Sequence, residues 1–246
     1  MNLYIPEYNY KFPQTLTVGN KNYILTYVRH MLSEYVYDMS TLENNPYTFP
    51  EVQTLLDGIT IGGHKLSDQN QILNIQKTWD YILSIIFKNE KIVIDKELIC
   101  NIHHIVAKDE ALIAGDFRNG NIGIAGTVKY KCIDSDDLEV VFNENIENIL
   151  NIENPLEKAI ILNIWLSYCQ FFYDGNKRTS RFISNIILLS EGIGVLSIPA
   201  RHKYEYNELM LNFYETLEAD DVIEFILTKC ITYFDGNKYI KHTDKH

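Results

Sequence analysis

The sequence predicts an all-α fold with one short β-hairpin, and three observations support this prediction. Apolar residues recur at intervals of three and four along most of the 246 residues, a spacing that places them on one face of a helix. Prolines and small polar residues precede these stretches and glycines follow them, as at helix starts and stops. Segment 115–134 breaks the pattern, because four glycines there alternate with β-branched residues such as Val128, which predicts a hairpin.

The helices follow in chain order. Pro50 suits a first helical turn, Ser67 can cap a long helix, and Asn154-Pro155 opens the most apolar helix, which we expect to be central. The other predicted helices span 23–42, 50–56, 95–108, 136–151, 177–191, 204–217 and 220–233. We expect an N-terminal helical extension over 1–47, a main domain over 48–234 and a polar tail over 235–246.

Composition narrows the class of protein. The chain has 33 Asp and Glu against 22 Lys and Arg, a net charge of -11, which disfavours a broad hold on nucleic acid or on an anionic membrane. Four cysteines without a CxxC pair indicate free thiols. The first residues lack the pattern of a signal peptide, and no stretch reaches the ~18 apolar residues of a membrane span. We therefore expect a cytoplasmic protein.

Segment 170–181 carries the most chemistry. A buried helix ends there in a turn containing Gly175, and the next helix begins with unpaired N–H groups and a partial positive charge, which together attract anions. Arg178 and Arg181 are three residues apart, so both guanidinium groups share the helical face beside that end. This arrangement suits a polyphosphate.

The carboxylate of Asp174 stands beside this anion site, where it could hold Mg²⁺ while the metal bridges phosphates. A simpler interpretation is also open. Asp174 and Asn176 could merely cap a helix, with the arginines as surface charges, since Asp-Gly-Asn is a common turn.

The same stretch resembles the signature of the Fic family, H-x-F-x-[DE]-G-N-[GK]-R-x-x-R. It matches seven of the eight specified positions, namely Phe172, Asp174, Gly175, Asn176, Lys177, Arg178 and Arg181. Residues 114–118 and 121–127 are similar to the segment that leads into the family's flap hairpin. The resemblance covers roughly 48–234 and implies the Fic fold, a helical core with a short β-hairpin flap.

The resemblance also implies roles. Asp174 would bind Mg²⁺, Gly175, Asn176 and Lys177 would form an anion hole for ATP, and Arg178 and Arg181 would hold the distal phosphates. The flap would hold a target protein by strand addition, so that its hydroxyl can receive AMP; the flap residues are Ile122, Gly123, Ile124, Gly126 and Thr127. Whether the chain is a monomer or a homodimer stays open.

Gln170 departs from the signature, because the family's catalytic histidine stands at that position. An amide has no useful basicity, so Gln170 and Arg178 are the catalytic candidates of a site without its usual base. Three explanations stay open: a nucleotide-binding pseudo-enzyme, a subfamily that uses another base or tolerates glutamine, and a laboratory substitution. His103 and His104 are conceivable substitute bases, although a histidine on an apolar helix is usually structural.

A second family feature is an inhibitory helix, [ST]-x-x-x-E-[GN], whose glutamate pairs with the second motif arginine. Residues 50–58 resemble it in part, with Asp57 in place of glutamate and Thr54 beside the expected Ser or Thr position. The alternative is an ordinary helix end at Gly58. The leading hypothesis is a nucleotide-binding relative of protein adenylyltransferases, and the competing one is a catalytically silent, antitoxin-like regulatory module.

Overall fold

The computed structural model describes residues 4–88, 92–127 and 129–240. The all-α class is confirmed, since helices predominate. In chain order the elements are α1 (Lys21–His30), α2 (Leu32–Leu42), α3 (Phe49–Leu56), α4 (Leu66–Phe87), α5 (Lys96–Val106), α6 (Leu138–Leu150), α7 (Pro155–Cys169), α8 (Asn176–Ser190), β1 (Gly194–Leu196), α9 (Lys203–Thr216), α10 (Asp220–Phe225), β2 (Ile231–Asp235) and β3 (Lys238–Ile240).

Helix α7 lies at the centre of the core, as predicted. Asn154 caps it, because its Oδ1 accepts the N–H groups of Leu156 at 3.0 Å and Glu157 at 3.2 Å, and Pro155 occupies the first turn. The helix is apolar on all sides, so it is stable only where neighbours cover every face. Helix α8 packs along it, and the turn between these two central helices carries residues 170–175.

The sheet lies elsewhere than predicted. Strands β1, β2 and β3 form an antiparallel sheet in that order, with Gly194 opposite Tyr233 and Tyr233 opposite Ile240. The predicted polar tail thus begins inside β2, and its first part forms β3, while residues 241–246 lie outside the described residues. The second Asp-Gly-Asn-Lys, at 235–238, makes the β2–β3 turn, a use of Asp-Gly common in hairpins.

Segment 115–134 contains no strand among its described residues, so the hairpin prediction was wrong there; Val128 lies outside the described part. Side-chain hydrogen bonds, and not strand pairing, hold this backbone in place. Arg118 is fully buried, and its guanidinium donates to the carbonyls of Gln170 at 2.7 Å, Gly120 at 2.9 Å and Ile133. It therefore ties the segment to the C-terminal end of α7, where a positive charge is also favourable.

Helices α1 and α2, from the predicted N-terminal extension, share one core with the rest of the described chain. Helix α2 packs against both α3 and α4. In the described ranges, no helix has both the length and the apolar character that crossing a bilayer requires.

Candidate functional site

The turn between α7 and α8 is fastened by the side chain of Asn176. Its Oδ1 accepts the N–H of Phe172 at 2.9 Å, and its Nδ2 donates to the carbonyl of the same residue at 2.7 Å. Gly175 precedes α8 with a φ of 74°, and a Cβ there would lie 2.9 Å from the Cβ of Ala107. Both the backbone conformation and the close packing therefore require glycine.

Gln170 ends α7 in the left-handed conformation, with φ of 50°. Its side-chain Nε2 donates to the carbonyl of Ser167 at 2.6 Å, and its Oε1 accepts from Asn176 at 3.1 Å. The structure thus places Gln170 beside the turn, where the amide acts as a hydrogen-bonding link. It has no atom that could accept a proton at neutral pH.

Arg178 and Arg181 lie side by side on α8, but both are buried, with 1% of each residue exposed. Arg178 donates from Nη1 to Oε1 of Glu110 at 2.7 Å and from Nη2 to Oδ1 of Asp174 at 3.4 Å. Arg181 donates from Nη2 to Oε1 of Glu43 at 3.0 Å. Each motif arginine is therefore held by a carboxylate from a different part of the chain.

The carboxylate at Arg181 is Glu43, and the prediction of Asp57 for this place was wrong. Glu43 follows α2 directly and its carboxylate reaches Arg181 on α8, whereas Asp57 is exposed at the end of α3. The hydroxyl of Thr54 donates to the carbonyl of Pro50 within the same helix at 2.8 Å. The geometry therefore moves the inhibitory candidate from Asp57 and Thr54 to Glu43.

The charges around Glu43 favour its ionised form. Burial raises the pKa of this carboxyl, but the positive charges of Arg178, Arg181 and Lys177 outweigh burial and hold the pKa below its ordinary value. Burial lowers the pKa of the Lys177 ammonium, and the two arginines lower it further. Three cations thus converge on one end of α8, with Glu43 among them.

A pocket of ≈ 90 Å³ opens at this end of α8. It is lined by Glu43, Gln170, Tyr173, Asp174, Gly175, Asn176 and Lys177. The backbone N–H groups of Asn176 and Lys177 belong to the first turn of α8, where N–H groups have no acceptor within the helix. The pocket is smaller than the roughly 300 Å³ of small ligand sites, and Glu43 forms part of its wall.

The carboxylate of Asp174 is suited to bind Mg²⁺ together with phosphate groups. Its side chain is 56% exposed, and its hydrogen bonds, from Gly175 N–H at 2.5 Å and from Arg178, both use Oδ1. Mg²⁺ is commonly bound through one or two carboxylates plus substrate phosphates. No group of three or more metal-ligating side chains occurs among the described residues, so a nucleotide would have to complete the coordination.

The comparisons with known proteins agree with this geometry. Residues 93–188 match the model of the Fic/DOC family. The chain contains a Fic/DOC family domain. Its fold also resembles a Fic domain containing signaling protein from Bacteroides thetaiotaomicron, with a TM-score of 0.66 at 19% identity over 87% of this chain and 84% of that one. Fic-1 from C. elegans gives a TM-score of 0.64 at 21% identity over 82% and 65%.

Two curated relatives share the name protein adenylyltransferase Fic. The protein from Nematostella vectensis is 25% identical over 190 residues, 74% of this chain and 43% of its own length. The protein from Aedes aegypti is 21% identical over 183 residues, 72% and 36%. The chain therefore spans less than half the length of these relatives.

The residues predicted to form the flap lie in irregular backbone, and two of them contact α9. Thr127 donates from its hydroxyl to Oε1 of Glu215 on α9 at 2.9 Å, and Gly126, with φ of 92°, faces Leu211. Ile122, Gly123 and Ile124 precede them, and Ile124 packs partly against the core. Their role in holding a target stays a proposal.

His103 fastens the turn from the side of α5 and is not a substitute base. Its ring stacks on Phe172 with centroids 3.7 Å apart. Its Nδ1 accepts the N–H of Gly115 at 2.9 Å, and its Nε2 lies 2.9 Å from the carbonyl of Asp174, so Nε2 carries the proton and donates. Burial lowers the pKa of His103 to about 4. His104 points instead to the carbonyl of Ala114.

We expect His103 to make the stability of this fold depend on pH. Since the folded pKa of about 4 lies below the ordinary value of 6.5, the unfolded chain binds the proton first as pH falls. The free energy of unfolding should therefore decrease by about 2 kcal/mol between about pH 7.5 and pH 5 through this residue. Urea denaturation of wild type and His103→Gln at both pH values measures it.

The variant should be less stable at neutral pH and should lose that part of the pH dependence. Burial raises the pKa of Asp38 to about 6, which acts in the opposite direction, but this residue is present in both proteins and cancels in the comparison. An equal pH dependence in wild type and His103→Gln would show that His103 is not buried as a neutral ring.

Proposed function

We propose that this chain is a Fic-type protein that binds a Mg-nucleotide at the start of α8 and is related to the protein adenylyltransferases. One observation carries the proposal. Arg178 and Arg181 are buried at a helix end that attracts anions, and each keeps an N–H group, Nε of Arg178 and Nη1 of Arg181, that finds no acceptor in the described structure. Buried donors of this kind are normally satisfied, and phosphate oxygens would satisfy them.

The proposed contacts follow from the geometry. The free N–H groups of Asn176 and Lys177 and the Lys177 ammonium would bind one phosphate, while Arg178 and Arg181 would bind the distal ones. Asp174 would hold Mg²⁺, which would neutralise charge between the phosphates of ATP. The relatives named protein adenylyltransferase support ATP as the nucleotide.

Glu43 would have to leave Arg181 before a distal phosphate could reach that guanidinium. Its ionised carboxylate occupies the place that an anionic phosphate would take. We therefore propose that the seated Glu43 inhibits nucleotide binding by direct competition.

AMP transfer would be slow in this protein, because Gln170 cannot take a proton from an attacking hydroxyl. The second candidate function, a catalytically silent regulatory module, is favoured by the hydrogen bonds that commit both ends of the Gln170 amide to Ser167 and Asn176. In both functions the flap segment would contact a protein partner.

The four cysteines are free, which supports the proposal of a cytoplasmic protein.

Nucleotide binding can be measured by thermal unfolding. ATP with Mg²⁺ at about one hundred times its dissociation constant should raise the Tm by about 5–10 °C. Asp174→Asn should reduce that shift to the level seen with ATP and EDTA, because its exposed carboxylate supplies the metal contact. Arg201→Ala, at an exposed arginine distant in sequence from the motif, is the control. No shift at millimolar Mg-ATP would refute the proposed function.

Removing the charge of Glu43 should increase the affinity for Mg-ATP. A charge-assisted hydrogen bond contributes roughly 1.5–3 kcal/mol, so Glu43→Gln should lower the dissociation constant about 10- to 100-fold in calorimetric titration. Asp57→Asn removes the same charge from the exposed end of α3 and should leave the constant unchanged. Weaker binding in Glu43→Gln would contradict competition.

Label transfer from α-labelled ATP to lysate proteins separates the two candidate functions. If the missing base limits catalysis, Gln170→His should transfer AMP about 10²- to 10⁴-fold faster than wild type. Arg178→Ala is the negative control. Transfer by wild type that Arg178→Ala abolishes would exclude the silent module, and transfer only after Gln170→His would exclude the active enzyme.

A further inference from the structure

Glu43 and Glu110, the carboxylates that pair with the motif arginines, lie in different positions relative to the pocket. Glu43 lines the pocket at the start of α8, whereas Glu110 and the two arginines are not among the described residues that line it. Glu110 follows α5 and meets Arg178 from the side of Val106, whose carbonyl lies 3.5 Å from the same guanidinium nitrogen. A nucleotide that enters the pocket would therefore meet Glu43 before it reaches either arginine or Glu110.

Glu110 is itself held by a second hydrogen bond. Its Oε1 accepts from Arg178 at 2.7 Å, and its Oε2 accepts from Nε2 of Gln71 on α4 at 2.6 Å. A carboxylate with both oxygens occupied cannot turn freely. It therefore fixes the direction from which it holds the Arg178 guanidinium.

The network continues to the segment that carries Glu43. Oε1 of Gln71 accepts from Nδ2 of Asn45 at 2.9 Å, and Asn45 stands two residues after Glu43. The backbone N–H of Asn45 donates to the carbonyl of Ser40 at 3.1 Å, and its Oδ1 accepts from Tyr47. In this network the Asn45 amide donates to Gln71, and the Gln71 amide donates to Glu110.

We propose that Glu110 is a positioning residue for Arg178, and that Gln71 and Asn45 connect this position to the segment that carries Glu43. The consequence for nucleotide rests on the proposed function. Glu43 and Glu110 then have opposite effects on Mg-ATP: Glu43 competes with phosphate for Arg181, whereas Glu110 holds Arg178 in the orientation that phosphate needs.

Removing the Glu110 charge would have two opposite effects on the affinity of Arg178 for phosphate. Loss of a nearby negative charge increases the attraction of Arg178 for phosphate. Loss of the hydrogen bond frees a guanidinium that must then be ordered when phosphate binds. Because both oxygens of Glu110 are engaged, one by Arg178 and one by Gln71, we expect the loss of order to dominate.

Calorimetric titration with Mg-ATP and with AMP tests this. Glu110→Gln should weaken Mg-ATP binding about tenfold, since tenfold corresponds to loss of one moderate hydrogen bond, and should leave AMP binding unchanged, because AMP lacks the distal phosphates. Gln71→Met, which keeps size but removes the amide that donates to Glu110, should weaken Mg-ATP binding by a smaller factor and also leave AMP binding unchanged.

Asp109→Asn is the matched control. It removes the same charge from the neighbouring, exposed residue, whose φ of 66° asparagine tolerates, and it should change neither affinity. Tighter Mg-ATP binding in Glu110→Gln would show that Glu110 masks Arg178. An equal loss for ATP and AMP would show a purely structural role, and either result overturns the proposal.

A measurement without nucleotide keeps the positioning question separate from the proposed function. The Nε–H nuclear magnetic resonance signal of Arg178, assigned with Arg178→Lys, reports rotation of the guanidinium. Rotation should be roughly tenfold faster in Glu110→Gln and also faster in Gln71→Met than in wild type. If wild type fails to bind Mg-ATP, the proposed function is refuted. Independently of that result, an unchanged Arg178 Nε–H signal in both variants would overturn the positioning role of Glu110.

Discussion

Two guanidinium groups buried side by side are the constraint on which the site depends. Charges removed from water are costly unless opposite charges accompany them, so a fold that buries Arg178 and Arg181 at a positively polarised helix end must supply anions of its own. Glu110, which follows α5, and Glu43, which follows α2, supply these negative charges. The tertiary structure around α8 is therefore coupled to the charges at the start of this helix.

The parts of this arrangement that are local in sequence could be predicted. Asn154-Pro155 marks the start of the central helix, and the spacing within 170–181 correctly places the two arginines on one face of α8. The carboxylate partners could not be predicted in this way, because Glu110 stands 68 residues and Glu43 138 residues from their arginines. Only tertiary packing brings such groups together.

A weaker signal for Glu43 was present. Glu43-Asn44 fits the last two positions of the inhibitory motif, with Met39 where serine or threonine is expected, whereas residues 53–58 fit only the last position at Gly58. Residues 39–44 are therefore the better match, and the sequence prediction passed over them. The sheet was missed for a different reason: its strands have three and five residues, too few for an alternating pattern to be distinguished from a loop. Segment 115–134 has the composition of a hairpin, but Arg118 fixes its backbone by side-chain bonds.

The small pocket beside Gln170 has a consequence for kinetics. Its ≈ 90 Å³ is smaller than a small-ligand site, so under the proposed function the binding-competent state would be a minority conformation in which Glu43 has left Arg181. The apparent dissociation constant then exceeds the intrinsic one by the inverse of that minor population. Association would follow the opening of the α2 end, and its observed rate would reach a plateau as nucleotide concentration rises.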